Sequence, residues 1–548
     1  MTEEPEPPPW VEQYPDWWPR DPEYPEIPVP EILRRRAETF ADRAAIVFRG
    51  EELTYADLLA AVERTATALD ALGVEAGEHV ALCMPNCPQF TTCFYAVQWL
   101  GAAVVHTSHM YTEREMDRVL DRTDARTAIV GHEQAGALAG AVDETGIERV
   151  LVAVPGDEKP ANTDVVAERG WEWFADATEA ARDPPPVRPG MDDVASLLHT
   201  GGTTGFPKSV PVTHRYWTLT TAQGEFVDLC AYREDGTVER GEQVMTGLMP
   251  MFHLNGNWTA NLYGVFNGAT VVLYSDFEPD RVLRDIERYG VTHMHTVPTM
   301  LTAMLEHPRS EETDFSSLRH VAAASAPVPT GKKRRFESLT GAGIFELYGQ
   351  TETSWTTAEP LSNRREGSCG LPIPGVTIDV ADVDTGERLP AGEVGEFVVE
   401  VDDHTMTEYY DDPEETARTV RDGWIHTADL GYRDEDWFFY YVDRMDDMIV
   451  SGGHNVYPAE VEAVLYGADA VSEAAVVGVP DDYLGERVTA FVEPEAGVAT
   501  DDLAAELRAL CENKLAEYKA PREYRFREAL PQTDVGKISR AELEAELE

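Results

Sequence analysis

The chain has 548 residues, 43% of them hydrophobic, with 45 basic against 100 acidic side chains and a net charge of −55. That length buries a large core and predicts two or more domains. Its dense apolar segments exclude an acidic disordered protein, and its charge argues against nucleic acid or an anionic membrane as partner.

The acids are spread along the whole length, and arginine outnumbers lysine 38 to 7. Such a surface suits molar salt, where self-repulsion is screened, so a halophilic source is expected. Six cysteines, at 83, 87, 93, 230, 369 and 511, are sparse and fit no usual metal spacing. Buried, reduced thiols and a cytoplasmic location are the expectation. The N-terminus lacks the basic region and apolar core of a signal peptide. No apolar run reaches the roughly 18 residues of a membrane-spanning helix.

Residues 1–30 are rich in Pro, Glu and Trp, including Trp10, Trp17 and Trp18. The prolines forbid a long helix, and the aromatics predict an extended arm packed on the body. From about residue 45 strands and helices alternate. Thr54 to Asp57 reads as a capping box, with Leu59, Val62, Ala66 and Leu69 following at helical spacing and Gly73 as a stop. Strands are expected at 80–84, 102–106, 127–130 and 150–154, with helices from Pro88 and over 112–124 and 134–146. A second series runs to about 350, with strands at 244–250, 269–274, 293–297 and 319–324. This rhythm predicts an α/β fold of parallel sheet with helices on both faces. Beyond 360 the pattern changes to short antiparallel strands at 376–380 and 395–401. The last hundred residues read as a compact α+β unit, with helices at 459–466 and 501–517 around strands at 474–479 and 487–493. The change places a boundary near 443–446, between a large unit, 1–442, and a small one, 443–548.

The stretch most easily tied to chemistry is Thr200-Gly201-Gly202-Thr203-Thr204-Gly205-Phe206-Pro207-Lys208. Glycines let backbone N–H groups approach an anion, threonines add hydroxyl donors and Lys208 adds a mobile charge. Phosphate binding is the functional reading; a turn between two strands is the plain one. The spacing is not that of a Gly-x4-Gly-Lys-Ser/Thr loop, and 209–212 looks extended rather than helical. In Leu347-Tyr348-Gly349-Gln350-Thr351-Glu352-Thr353 a carboxylate beside hydroxyls suits Mg²⁺ completed by substrate phosphates, and Tyr348 suits stacking on a base. An ordinary strand-to-helix turn explains it as well. In Gly423–Gly431, Asp429 is placed to accept ribose hydroxyls, although a surface turn is the commoner reason for such a stretch. Residues 443–460 carry a charged cluster and the pair Gly452-Gly453. In 531–540, Lys537 stands out where arginine is otherwise preferred. His253, in Pro250-Met-Phe-His-Leu-Asn-Gly256, is a lone histidine in an apolar setting, more often a core residue than a catalyst.

Taken in order, these stretches resemble the adenylate-forming superfamily of acyl-CoA synthetases, luciferases and carrier-charging adenylation domains. The resemblance runs from Leu53-Thr-Tyr55 to Arg540 and covers TGGTTGFPK, MPMFH, YGQTE, GEVGE, GWIHTAD, DRMDDMIVSGGHNVYPAEVE and GKISR. Ser209 and Ala428 depart from it, each standing where glycine is usual. The resemblance implies a large N-terminal domain of parallel and mixed sheets with flanking helices and a small β-barrel-like part, and a small mobile α+β C-terminal domain hinged near Asp446. It implies ATP, Mg²⁺ and CoA: a carboxylate attacks the α-phosphate, and the thiol of CoA then displaces AMP. On this match the 200–208 loop holds the β- and γ-phosphates, with Thr200, Gly201, Gly202, Thr203, Thr204, Gly205 and Lys208 as its contacts. Thr351 and Glu352 serve the α-phosphate and the metal, Asp429 and Arg444 the ribose, and Ala324, Ser325, Ala326 and Tyr348 the adenine, with Gly349 also among the nucleotide-binding residues. Lys537 acts in the first transition state, Gly452 and Gly453 line the pantetheine tunnel, and His253 joins the catalytic set with Leu254 and Trp258 on the acid's wall. The loop's form and the Trp-rich arm look like long-chain fatty acyl-CoA synthetases, of haloarchaeal origin given the acidity. An aryl-CoA ligase, an acyl-AMP ligase loading a carrier protein, a luciferase-like oxygenase and a non-catalytic nucleotide or acyl sensor stand as alternatives. The oligomeric state is left open, a homodimer included.

Overall fold

The structure, a computed structural model, describes residues 7–156, 160–179, 184–200, 207–229, 240–468, 470–481, 483–495, 497–500, 502–533 and 537–547. Among them are four sheets. The first has seven strands, in spatial order Glu172–Trp173, Arg149–Ala153, Thr127–Gly131, His79–Cys83, Ala103–His106, Val194–Thr200 and Lys208–Thr213. All pairs are parallel except the last. The inner strands are buried along their length, which is why they read as unbroken apolar runs rather than alternations.

The second sheet has nine strands. Gly343–Gln350, His320–Ala323, His293–Thr296, Val244–Gly247, Thr270–Leu273 and Ala44–Phe48 lie parallel in that order, flanked by antiparallel edge strands. Helices Tyr55–Ala71 and Pro88–Trp99 fill the space between the two sheets, and one apolar cluster runs through them from Val80 and Val104 to Met245 and Val271. The Tyr55 hydroxyl donates to Ala269 O at 2.7 Å, tying helix to sheet. The predicted cap is present: Thr54 accepts from Asp57 N. The helix expected over 134–146 is shorter, Ala135–Ala141 with a 3₁₀ turn to Glu144, in a stretch weakened by Gly136 and Gly140. The helix expected over 501–517 runs Leu503–Lys514, ending where Leu515 turns extended.

The third sheet is antiparallel and curls beside the second, with strands Ile378–Ala381, Gly395–Glu400, Trp424–Arg433, Val420–Arg421 and Phe439–Arg444. The N-terminal arm packs where this sheet meets the edge strand Leu371–Pro372 of the second. Trp10, Tyr14 and Trp18 are buried, Trp10 lies 5.0 Å from the Trp437 ring, and the Tyr14 hydroxyl donates to Pro372 O at 2.8 Å. The fourth sheet, Ile449–Ser451 to Glu523–Phe526, carries helices Pro458–Leu465 and Leu503–Lys514 and has its own apolar clusters. The five described cysteines are buried and unbridged; Cys230 lies outside the described residues. No described helix is long and apolar enough to cross a membrane.

Candidate active site

Strands Val194–Thr200 and Lys208–Thr213 pair antiparallel with Thr200 opposite Lys208. Lys208 thus begins a strand, not a helix. Gly201, Gly202, Thr203, Thr204 and Gly205 lie outside the described residues. Lys208 leaves the hairpin toward a neighbouring segment, its Nζ 2.5 Å from Glu415 Oε1 and 5.1 Å from the centre of the Tyr409 ring. Ser209 finds a use for its hydroxyl: Oγ and His199 Nδ1 stand 3.1 Å apart.

Asp429 and Arg444 face each other in register on adjacent antiparallel strands, Arg444 Nη1 3.5 Å from Asp429 Oδ1. Two further donors converge on Asp429 Oδ2, the Tyr348 hydroxyl at 2.9 Å and Gln350 Nε2 at 2.5 Å. Burial raises the Asp429 pKa, and Arg444, Tyr348 and Gln350 oppose that rise. Gly349 sits where a Cβ would lie 1.9 Å from Ser354 O, so no larger residue fits between the strands. Ala428, before the aspartate, has φ 57°, a left-handed conformation that explains why glycine is usual there. It is held by both backbone groups: its N donates to Glu396 Oε1 at 2.9 Å and its O accepts from Met445 N at 2.9 Å.

Thr351 and Glu352 follow the same strand. The Thr351 carbonyl accepts from the Tyr216 hydroxyl at 3.1 Å. Glu352 Oε1 accepts from the Tyr409 hydroxyl at 2.8 Å; burial raises its pKa, opposed first by that hydrogen bond and more weakly by Lys208 and Arg444. Among the described residues no group of three His, Cys, Asp or Glu side chains is placed to hold a metal. One half-buried carboxylate, Glu352, fits Mg²⁺ only as an ion that arrives with, and is mostly ligated by, substrate phosphates.

Ala324-Ser325-Ala326 leaves the end of strand His320–Ala323, with Ala324 buried and the other two exposed. Ser325 has φ 76°. The loop is anchored below by Glu346, which accepts from Val328 N at 3.1 Å and from Lys333 Nζ at 3.2 Å. Lys333 also donates to the buried Glu359 at 2.5 Å, and burial pushes Glu359 up to about 7.

Lys537 comes from the C-terminal unit, where two hydrogen bonds hold its backbone to Thr533: Thr533 N donates to its carbonyl at 2.7 Å and its own N donates to Thr533 Oγ1 at 3.2 Å. Its ammonium is held in the field of Asp429, which favours the charge, and of Arg444, which opposes it. Desolvation is the largest influence and lowers its pKa; the residue as a whole stays open to solvent, which limits that depression. His253 is pushed down to about 3, first by burial, then by Lys537 and His199, so it is a neutral imidazole rather than a base poised near neutrality. Its Nε2 is buried without a hydrogen-bond partner among the described residues. Gly452 and Gly453 form the tip of the hairpin Ile449–Val456 with φ 60° and 80°. A Cβ on Gly453 would meet nothing within 4 Å, so in this arrangement the positive φ of the turn is what favours glycine.

After His253 the chain passes through a short helix, Leu254–Asn257, into a π-helical segment, Trp258–Tyr263, whose wider turn brings residues five apart together. The two rings stack at 4.6 Å and 10°. Trp355 meets Trp258 edge-on at 5.5 Å. A Cβ on Gly224 would lie 2.3 Å from Trp258 Cζ2, so the indole is seated only because that helix residue is glycine. The indole nitrogens of Trp258 and Trp355 are buried without partners among the described residues.

The sequence reading missed Gln350 as a ligand of Asp429, Glu396 beneath Ala428, and the segment of Tyr409 and Glu415. Gln350 lay inside a quoted motif, so its amide was a readable signal; Tyr409 and Glu415 carry no local signature and reach the site only through the fold.

Comparison with known proteins gives one answer across the chain. Residues 33–410 match the AMP-binding enzyme family and 460–537 the AMP-binding enzyme C-terminal domain. The long-chain-fatty-acid–CoA ligase of Bacillus subtilis (strain 168) is 34% identical over 98% of this chain and 97% of its own. A feruloyl-CoA synthase of Amycolatopsis sp is 35% identical over 93% and 97%. Among solved structures, an anthranilate CoA ligase in complex with anthranoyl-AMP superposes with a TM-score of 0.86 at 26% identity, covering 98% of each chain. ATP-bound MatB from Rhodopseudomonas palustris gives 0.83 at 27%, covering 94% of this chain and 98% of its own.

Proposed function

We propose that this chain, which belongs to the AMP-binding enzyme family and is an AMP-forming acyl-CoA synthetase, activates a planar, ring-bearing carboxylic acid through an acyl-adenylate and passes the acyl group to CoA. In the first half-reaction a carboxylate oxygen attacks the α-phosphorus of ATP and the bond to pyrophosphate breaks. In the second, the CoA thiolate attacks the acyl carbon and the bond to AMP breaks. No protein nucleophile is needed; the chain supplies position and charge.

The observation that carries this reading is the Asp429–Arg444 pair, with Tyr348 and Gln350 on the same carboxylate and Lys537 within the pair's electrostatic reach. Asp429 and Arg444 hold the ribose, with Gln350 and Tyr348 fixing the aspartate. Tyr348, Gly349 and Ala324–Ala326 flank the adenine. Lys208 and the loop from Thr200 take the β- and γ-phosphates, Thr351 and Glu352 the α-phosphate and Mg²⁺. Lys537 bridges the incoming carboxylate and the α-phosphate, where negative charge builds up. His253, neutral, borders the acid as a hydrogen-bonding wall. Once Lys537 has left with the rotating C-terminal unit, Gly452 and Gly453 take its place beside the thiol.

The choice of acid rests on the aromatic cluster of Trp258, Tyr263 and Trp355, which follows His253 in the segment that the resemblance gives to the acid's wall and would there shorten the room for a long alkyl chain. Two buried indole N–H groups without acceptors each cost about 1–3 kcal/mol, and a ring acid bearing oxygen substituents supplies acceptors. A long-chain fatty acid is the second reading, favoured by the whole-length similarity to the Bacillus subtilis ligase. The test is pyrophosphate release in high KCl with ATP, Mg²⁺ and a panel of aryl, medium-chain and long-chain acids, with and without CoA. Higher kcat/KM for aryl acids is expected; higher values for palmitate overturn the ring-acid reading. Release without thioester points to carrier loading, and no release with any acid points to a sensor.

A further inference from the structure

We infer that Glu415 is a resident counter-ion for Lys208, holding the ammonium while the phosphate site is empty, yielding it to ATP and recapturing it as pyrophosphate leaves. The inference rests on the reading of Lys208 as the β/γ-phosphate lysine. Its basis is the 2.5 Å pair between Lys208 Nζ and Glu415 Oε1, which leaves both side chains largely sheltered from solvent. The Lys208 ammonium is the main cause of a lowered Glu415 pKa.

Glu415 is delivered by a segment stapled to both halves of the site. Tyr410 N donates to Ser209 O at 2.8 Å, next to Lys208, and Met406 N donates to Glu352 O at 2.8 Å. Tyr409 lies between, its hydroxyl on Glu352 and its ring beneath the Lys208 ammonium. Glu415 opens the helix Pro413–Thr419, where Asp412 Oδ1 accepts its N–H at 3.1 Å, so its Cα is fixed and only the side chain is free to choose a partner.

A second partner is already in place. Glu415 Oε2 accepts from Arg418 Nη1 at 3.1 Å, one turn along the same helix, and Arg418 is mostly exposed. Phosphate oxygens arriving at Lys208 repel the nearby carboxylate and match the ammonium with more charge than it offers. Glu415 then withdraws toward Arg418. When pyrophosphate departs, the same carboxylate returns, so the positive site is never left uncompensated. The pair therefore weakens binding of ATP and of pyrophosphate together and speeds product release.

The test uses the full-length protein, with magnesium pyrophosphate as probe by calorimetry and ATP in the adenylation assay. Glu415→Gln keeps the shape and removes the charge; the Kd for pyrophosphate and the KM for ATP should both fall about three- to tenfold. Arg418→Ala removes the retreat and should raise both. Pyrophosphate affinity unchanged or weakened in Glu415→Gln, or unchanged in Arg418→Ala, overturns the inference. Lys208→Ala separates the layers: if it weakens pyrophosphate binding while Glu415→Gln has no effect, only the counter-ion role falls, and if Lys208→Ala has no effect, the assignment of Lys208 falls with it.

Discussion

Arg540 donates to Asp447 Oδ2 at 2.6 Å, and the same nitrogen stands 3.4 Å from Asp443 Oδ1. The arginine, three residues beyond Lys537, thus grips both sides of Asp446, the position matched to the family's hinge. Its other nitrogen holds Glu462 at 2.9 and 3.0 Å. The placement of Lys537, three residues back along the chain, depends in part on this anchor.

Replacing Arg540 by methionine should uncouple that placement. Misplacing a reacting group by about 1 Å costs on the order of 100-fold, so adenylation should fall by about that factor while thioester formation from a supplied acyl-adenylate falls less. Three acids left without a counter-ion cost about 3–5 kcal/mol, visible as a lower unfolding temperature. Arg540→Lys, which keeps the charge and loses the fork, should lie between. Equal losses in both half-reactions contradict this role.

Ala428→Gly should stabilise the protein. An alanine at φ 57° costs about 1–2 kcal/mol relative to the right-handed region, and its two backbone hydrogen bonds prevent relaxation. After glycine's larger unfolded-state entropy, a gain of about 1 kcal/mol remains. A higher unfolding temperature with adenylation unchanged is expected; a lower one contradicts the strain.

Glu359, pushed up to about 7 by burial, favours its protonated form in the fold. The stability it contributes is complete below its unfolded pKa near 4.5 and is lost as pH rises through about 7, on the order of 3 kcal/mol. Glu359→Gln should therefore gain on the wild type at pH 8 and not at pH 4.5, read as the difference in unfolding temperature. Lys333→Met should do the reverse of stabilising, since it leaves Glu346 and Glu359 buried without their shared ammonium. An identical pH profile for wild type and Glu359→Gln contradicts the shift.

Much of this site was legible because its chemistry is written in local stretches. The alternation from residue 45 to 350 pointed to the parallel sheets, and the departure at 428 marked a backbone position where the structure finds a positive φ; that Gly349 leaves no room for a Cβ beside Ser354 O was not read from the sequence. What stayed hidden depends on approach in space. Tyr409 and Glu415 carry no local signature, and only packing brings them to Glu352 and Lys208. The reading of Gly452-Gly453 by tunnel width rested on a pose other than this one. The Trp258–Tyr263 stack needed a π-helical turn, which no periodicity announces.

The charge of −55 predicts a dependence on salt. Self-repulsion acts over about 10 Å at 0.1 M salt and about 3 Å at 1 M. The unfolding temperature should rise between 0.1 M and 2 M KCl; no change would remove the argument for a halophilic surface.

The central claim is that Lys537 serves the first half-reaction alone. Lys537→Ala should abolish acyl-adenylate formation, measured as acid-dependent exchange of pyrophosphate into ATP, while thioester formation from a supplied acyl-adenylate and CoA proceeds at close to the wild-type rate. Lys208→Ala should slow the exchange less than Lys537→Ala. Equal loss of both half-reactions in Lys537→Ala, or retention of both, would contradict the account.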